Sequence, residues 1–472
     1  MTEPSLRAQA ARGAAWSGLS SILLRLGSLV VGIVLARLLT PDEFGVFAIA
    51  LTVQTILVTL ADLGLSAALV RSDEPERIAP TVATVGVVSA AIVTAATMAA
   101  SPLLAQLLGS ERAAPAISVL AATLLLAGVG VVPYAYLLRR FQQREIFLIS
   151  VVDFVVYTAV TITLVLLGWG ALGLAAGRVA AQVSATTLQF VFARVKPRFG
   201  LDRSELGPIL HYGVPIALAN LVAWALLNVD NVAISRMAGV TALGYYVLAF
   251  NVSSWPMSAL SQVVRSVALP YFSRAEGAGR GLGVVLAAGW AVALPVGGLL
   301  AVLSEAVVEV LYGQKWLPAA PVLMALGVHG SLRVVFEIAT GYLYARGRTR
   351  PVLWVQLVWI ALLIAGLLIV VPRWGIVGAA WLHVAIAVVV VLPWFLGLLA
   401  AAGVDLRDVA RRAAWPTAAS LLAVAAAAGV LFMVEGGIAE ILLGGTAALV
   451  VYVTLMWRSG RRELKLLRGG AL

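Results

Sequence analysis

The chain is predicted to be an all-α polytopic membrane protein of about fourteen transmembrane helices, forming two pseudo-symmetric six-helix lobes around a central cavity plus two C-terminal helices. Composition is the first observation behind this. Hydrophobic residues fill 62% of the 472 positions and charged residues 12%, against about 25% charged in an ordinary soluble domain. The second is length. Apolar runs of about 18 residues or more recur along the whole chain, each able to cross a hydrocarbon core about 30 Å thick. Backbone groups in lipid must be satisfied internally, which leaves helices or closed barrels, and these runs lack the polar–apolar alternation of barrel strands. The third is an internal repeat.

In chain order the expected spans are 14–38, 44–70, 80–104, 113–137, 146–168, 170–194, 208–236, 241–269, 281–304, 319–345, 351–371, 375–400, 415–433 and 437–457. The first is read as a retained helix, because its apolar segment exceeds the about 7–15 residues of a cleavable signal and the next span follows after a short turn. Gly173 and Gly177 form a small-xxx-small pair in the sixth span, a signal of close helix packing. Most connections are short, and an even count puts both ends of the chain on one side.

Basic residues choose that side. About 24 of the 33 Lys and Arg fall in segments on the side of the two ends, and about 5 (Arg37, Arg112, Arg236, Lys315, Arg373) on the other. The positive-inside rule then places both termini in the cytoplasm. The same asymmetry accounts for most of the formal charge of +11, so no nucleic-acid partner is expected. Trp169, Trp316, Trp374 and Trp457 fall near expected membrane interfaces. With no cysteine, disulfides, thiolate metal sites and iron–sulfur clusters are excluded.

The repeat aligns LARLLTPDEFGVFAIA (35–50) without a gap to ISRMAGVTALGYYVLA (234–249), matching Arg37 to Arg236 and Gly45 to Gly244. The flanking helices keep the register. Residues 1–205 and 206–402 therefore read as two six-helix lobes of one topology, and 403–472 as two additional helices with a basic cytoplasmic tail. Parallel repeats place a substrate path at their interface.

Polar residues follow that symmetry. Ser17, Ser21, Arg25, Ser28 and Gly32 make one stripe on the first helix. Its repeat mate carries Asn220, Trp224, Asn228, Asn231 and Ser235 at the same spacing, with Arg25 aligned to Trp224. The next helix of the second lobe adds Asn251, Ser254, Ser258, Gln262 and Arg265, and that of the first lobe Gln54, Asp62 and Ser66. A polar face must meet protein or water rather than lipid tails, so four converging seams give a hydrated cavity. Arg25 either lines that cavity or pairs with Asp62 to fasten helices. Arg265 either lines the path or snorkels to the cytoplasmic surface.

Asp230, Asn231, Arg333 and Glu337 are candidate ion-coupling residues. Against this, Arg333 and Glu337 have the i,i+4 spacing of a local ion pair, and Asp230 among asparagines suits interhelical hydrogen bonding. Arg178 either binds substrate or satisfies Asp153 or Asp230. His211, His329 and His383 lie on separate segments without metal-ligand spacing and read as core or interface residues. There is no GxxxxGK[ST] loop, no connection long enough for a soluble catalytic domain, and no nucleophile–base or metal constellation. No cofactor and no enzymatic activity are expected.

GAAWSGLSSILLRLGSLVVGIVLARLLTPDEFGVFAIA (13–50) followed by ADLGLSAALVR (61–71) resembles the start of the polysaccharide flippases of the multidrug/oligosaccharidyl-lipid/polysaccharide superfamily, exopolysaccharide branch. RRFQQREIFLISVVD (139–153), HYGVPIALANLVAWALLNVDNVAISRMAGVTALGYYVLAF (211–250), ALPYFSR (268–274) and LYGQKWLPAAPVL (311–323) extend the likeness over nearly the full length. The resemblance implies two lobes closing over a central cavity that moves an isoprenoid-pyrophosphate-linked oligosaccharide from inner to outer leaflet. It implies alternating access, with Arg25 meeting the pyrophosphate and Arg265 a weaker counterpart. A monomer surrounded by membrane lipids is expected, with a glycan polymerase and export machinery as further partners.

Two other functions stay open at this point. A cation or drug antiporter of the same superfamily would use Asp62, Asp153, Asp230 or Glu337. A membrane glycan polymerase or ligase would need a substantial outer loop, and the largest outer connection, 304–318, is short and mostly apolar.

Overall fold

The computed structural model describes Leu24, 27–256, 278–434 and 436–468. These residues are almost entirely helical, with no strand among them. Nine described segments are long and apolar enough to cross a membrane, which makes the chain a multi-pass membrane protein. It divides into two compact units, Met1–Gly244 and Tyr245–Leu472.

The first unit contains α1 (Gly27–Leu38), α2 (Pro41–Asp62), α3 (Leu65–Arg71), α4 (Pro75–Leu107), α5 (Ala114–Arg139), α6 (Gln143–Leu166), α7 (Gly170–Ala193), α8 (Arg203–Leu227) and α9 (Val229–Ala238). The start of α2 is set by a capping box. Thr40 Oγ1 accepts from the Glu43 amide at 3.2 Å, and the Glu43 carboxylate accepts from the Thr40 amide at 2.9 Å. Pro41 occupies the first turn, where its missing N–H costs nothing.

The expected span 44–70 is broken rather than continuous. Leu63 (φ 48°) and Gly64 (φ 69°) adopt left-handed backbone, ending α2 and starting α3, and Ser66 donates to Asp62 Oδ2 at 3.1 Å across the break. Gly64 is required there for space as well as for φ, since a Cβ would overlap the Gly213 carbonyl of α8. The expected span 208–236 is also broken, at Asn228 (φ −120°, ψ 6°) between α8 and α9. Buried Leu65, Leu69, Val82, Val131 and Leu137 fill the core between α3, α4 and α5. The motif RRFQQRE serves helix ends. Arg139 donates to the Val70 and Ser72 carbonyls at the end of α3, and Arg140 to the Ala193 carbonyl at the end of α7, where cations oppose the negative helix terminus.

The next helix, α10 (240–256), leads into the second unit. There follow α11 (Ala278–Val302), α12 (Ser304–Tyr312), α13 (Ala320–Ala345), α14 (Thr349–Ile386), α15 (Leu392–Ala401), α16 (Leu406–Leu431) and α17 (Gly437–Arg468). The apolar connection 304–318 is not a loop: it forms α12 and a tight turn of helix holding fully buried Trp316. The helix α14 leaves helical geometry at Gly375 (φ 58°). Arg348 at its start donates to the Ala401 carbonyl at the end of α15, 2.9 Å away, so this stretch is a hairpin that contains the two expected spans 351–371 and 375–400. The C-terminal helices pack on α11: Trp290 Nε1 donates to Thr417 Oγ1 at 2.8 Å, and Ala423, Ala427 and Ala448 form a small core with Leu299 and Val302.

Candidate functional site

The residues that converge in the first unit lie on its fifth and sixth expected spans. On α6, Ser150, Asp153, Phe154 and Tyr157 fall on one face; on α7, Arg178, Gln182 and Gln189 fall at i, i+4 and i+11, again one face. The glycines decide how the faces meet. A Cβ at Gly177 would overlap Thr161 Oγ1, and one at Gly173 would come within 3.2 Å of Leu164 Cβ. The small-xxx-small pair therefore seats α7 directly on α6. One residue beyond that seat, Arg178 Nη1 donates to Asp153 Oδ2 at 3.0 Å. Of the two partners left open by sequence, Asp153 is the one it takes.

These faces line an open cavity of about 560 Å³, together with Leu24 and Ser28 of the first helix and Tyr134 of α5. Small-molecule sites occupy about 300–1,000 Å³. The ion pair is neither dry nor fully wet, with side-chain exposures of 35% for Arg178 and 22% for Asp153. Among the described residues the Asp153 bond is the one hydrogen bond of Arg178, so four of its five N–H donors remain. Asp153 Oδ1 likewise accepts nothing from the described residues. Gln182 Nε2 donates to Thr186 Oγ1 at 3.4 Å, which uses neither lone pair of its amide oxygen.

Of the residues named from sequence, Ser28 lines this cavity. Ser21, Arg25, Ser258, Gln262 and Arg265 lie outside the described residues. Gln54 donates to Thr123 Oγ1 at 3.2 Å, joining α2 to α5. Asp62 accepts from Ser66. Asn220 and Trp224 lie on α8, Asn228 at the α8–α9 break, and Asn251 is exposed on α10. Asn231 Nδ2 donates to Thr52 Oγ1 of α2 at 3.5 Å and to Asn228 Oδ1 at 3.4 Å. Asp230 is buried and accepts from the Asn231 amide at 2.9 Å.

Arg333 and Glu337 sit half-buried on α13, and the ion pair expected between them is not among those of the described residues. The i,i+4 spacing brings two side chains within reach without obliging them to pair. The histidines on separate segments do meet. His329 and His383 lie with ring centroids 5.2 Å apart, both buried, and Tyr246 hydroxyl is 3.2 Å from His383 Nε2.

Sequence reasoning passed over Ser150, Tyr157, Gln182 and Gln189. The signal was present as one-face spacing around Arg178 and Asp153, but it lay on the fifth and sixth spans, outside the seams that the repeat highlighted.

Residues 34–321 match the model of a family described as "Polysaccharide biosynthesis protein". The chain is 27% identical over 356 residues to the lipopolysaccharide biosynthesis protein WzxC of Escherichia coli K12, covering 73% of this chain and 71% of that protein. It is 27% identical over 335 residues to the succinoglycan biosynthesis transport protein ExoT of Rhizobium meliloti 1021, covering 69% and 67%. Its fold is similar to that of the lipid II flippase MurJ in an inward closed conformation, with a TM-score of 0.80 at 13% identity over 96% of this chain and 100% of that one.

Proposed function

The chain belongs to the polysaccharide biosynthesis protein family, and from that premise we propose that it is a flippase that translocates a lipid-linked oligosaccharide across the membrane. One observation carries the reading: a cavity holding the Arg178 guanidinium is built between α7 and α6, a helix long and apolar enough to span the bilayer, in a chain of this family. A glycan headgroup needs such a wet, hydrogen-bonding chamber, because its hydroxyls cannot enter hydrocarbon unpaired. The lipid tail has no such need and stays in the bilayer.

In this reading the repeats 1–205 and 206–402 rock against one another by alternating access. The protein sits in the bacterial inner membrane with both termini in the cytoplasm, as the basic-residue asymmetry favours. The carrier is an isoprenoid pyrophosphate, and Arg25 greets its anionic head, because a planar guanidinium fork suits phosphate oxygens. The movement makes and breaks no covalent bond, so the chain acts without catalysis, ahead of a glycan polymerase and export machinery.

Deleting the gene tests the function in cells. A lipid-linked glycan is expected to accumulate on the cytoplasmic face and to clear on re-expression. Unchanged lipid-linked glycan pools after deletion would contradict it.

A further inference from the structure

The cavity of the first unit poses a narrower question: which part of a glycolipid does it fit? Its central cation is already paired. At 3.0 Å the Asp153 carboxylate offsets the Arg178 charge, so an arriving phosphate would meet attraction and repulsion at nearly the same range. A phosphate also only accepts hydrogen bonds, and Asp153 Oδ1 has none to give. The charge pattern therefore disfavours a pyrophosphate here.

A sugar hydroxyl differs, since each one both donates and accepts. The cavity presents the matching pattern. Arg178 holds unused N–H donors beside the unused Oδ1 of Asp153, on planar groups that reach two neighbouring hydroxyls at once. One turn along α7, Gln182 offers an amide oxygen. On the walls, Tyr134, Phe154 and Tyr157 supply aromatic rings for the C–H face of a pyranose, and Tyr134 is 38% exposed. Planar hydrogen-bonding groups beside aromatic carbon are what a sugar requires and what a phosphate does not use.

We propose that the Asp153–Arg178 cavity is a saccharide subsite, holding an uncharged sugar unit of the glycan while the pyrophosphate is bound elsewhere. This rests on the flippase reading and adds to it the part of the substrate the site takes. The ion pair acts as a neutral donor–acceptor plate, and Gly173 and Gly177 set its position by holding α7 on α6. Because the plate carries no net charge, the subsite holds sugar hydroxyls with little dependence on salt.

Saturation-transfer NMR on the full chain in lipid nanodiscs tests this, with methyl glucoside, methyl galactoside and methyl mannoside as probes and inorganic pyrophosphate as competitor. At least one glycoside is expected to bind, to take saturation from aromatic protons, and to be unaffected by pyrophosphate. The double variant Asp153→Asn/Arg178→Gln removes both charges yet keeps an amide pair. It is expected to weaken glycoside binding at least about tenfold, the loss that follows from charge-assisted bonds. Gln182→Ala is a milder second variant expected to weaken it about threefold or more, with a thermal midpoint near that of the parent. Displacement of the glycosides by pyrophosphate, or binding by both variants equal to that of the parent, would overturn the subsite, as would no glycoside binding at all. Translocation of lipid-linked glycan by the same preparation reads the flippase assignment separately. Glycoside binding without translocation defeats that assignment and leaves the subsite; translocation with unaltered glycoside binding in both variants defeats the subsite and leaves the assignment.

Discussion

Gly45 and Gly244 occupy the same repeat position and pack reciprocally: a Cβ on Gly45 would overlap the Val240 carbonyl, and one on Gly244 would overlap the Pro41 carbonyl. Val240 and Pro41 are themselves repeat mates, each four residues before its glycine. Beside this contact, Thr241 donates to Asp42 Oδ1 at 3.3 Å, a third pair of mates. The start of α2 and the start of α10 thus meet about a local two-fold, and the symmetry seen in sequence is also a packing contact within the first unit.

Alanine at either glycine is expected to lower stability by about 1–3 kcal/mol, because the obstacle is backbone and cannot swing aside. Gly341→Ala on α13, where a Cβ would meet nothing within 4 Å, is expected to be neutral or stabilising. Thermal unfolding of the detergent-solubilised chain checks both. Equal midpoints for all three variants would contradict the contact.

Gly177→Ala is expected to push α7 off α6 and to loosen the Arg178–Asp153 bond. Since the obstacle is the Thr161 hydroxyl, Thr161→Ala is expected to rescue it. The double-mutant cycle should show a favourable coupling of about 1 kcal/mol, with additivity counting against the close approach.

Asp202 precedes α8 outside the membrane spans. Its carboxyl is held below the usual carboxylate value, first by the Ser204 hydroxyl and then by the Ser204 amide. A lowered folded pKa means that the contribution is present above the unfolded value of about 3.9 and is lost as pH falls through the folded one. Asp202→Asn is expected to flatten the acid limb of the thermal-midpoint profile below about pH 4. An unchanged acid limb in the variant would contradict this role.

How much of this was legible from the residues varies by element. The hydrophobic runs, the hairpin about Gly375 and the Gly45–Gly244 correspondence follow from periodicity and alignment. The breaks at Leu63–Gly64 and Asn228 do not, because a long apolar run hides the residues that leave helical geometry: left-handed Leu63 and Gly64, the latter held against α8, and Asn228 at φ −120°. The pairing of Arg178 with Asp153 needed the separation of α6 and α7, which depends on two glycines and one threonine. The meeting of His329 with His383 depends on how α13 packs against the far end of α14, beyond the break at Gly375, which no local pattern reports.

Arg25→Ala is expected to slow translocation by about tenfold or more while leaving glycoside binding at the Asp153–Arg178 cavity intact, since the two groups are assigned to different parts of the substrate; the figure follows from one charge-assisted contact to phosphate. Equal transport by Arg25→Ala and the parent would remove Arg25 from the path.

The most direct measurement is leaflet exchange in proteoliposomes. The purified chain is reconstituted with a fluorescent isoprenoid-pyrophosphate-linked glycan, and outer-leaflet label is quenched over time. Protein-dependent loss of the protected inner pool, slowed by Asp153→Asn/Arg178→Gln, is the expected result. Exchange no faster than in protein-free vesicles would contradict the assignment.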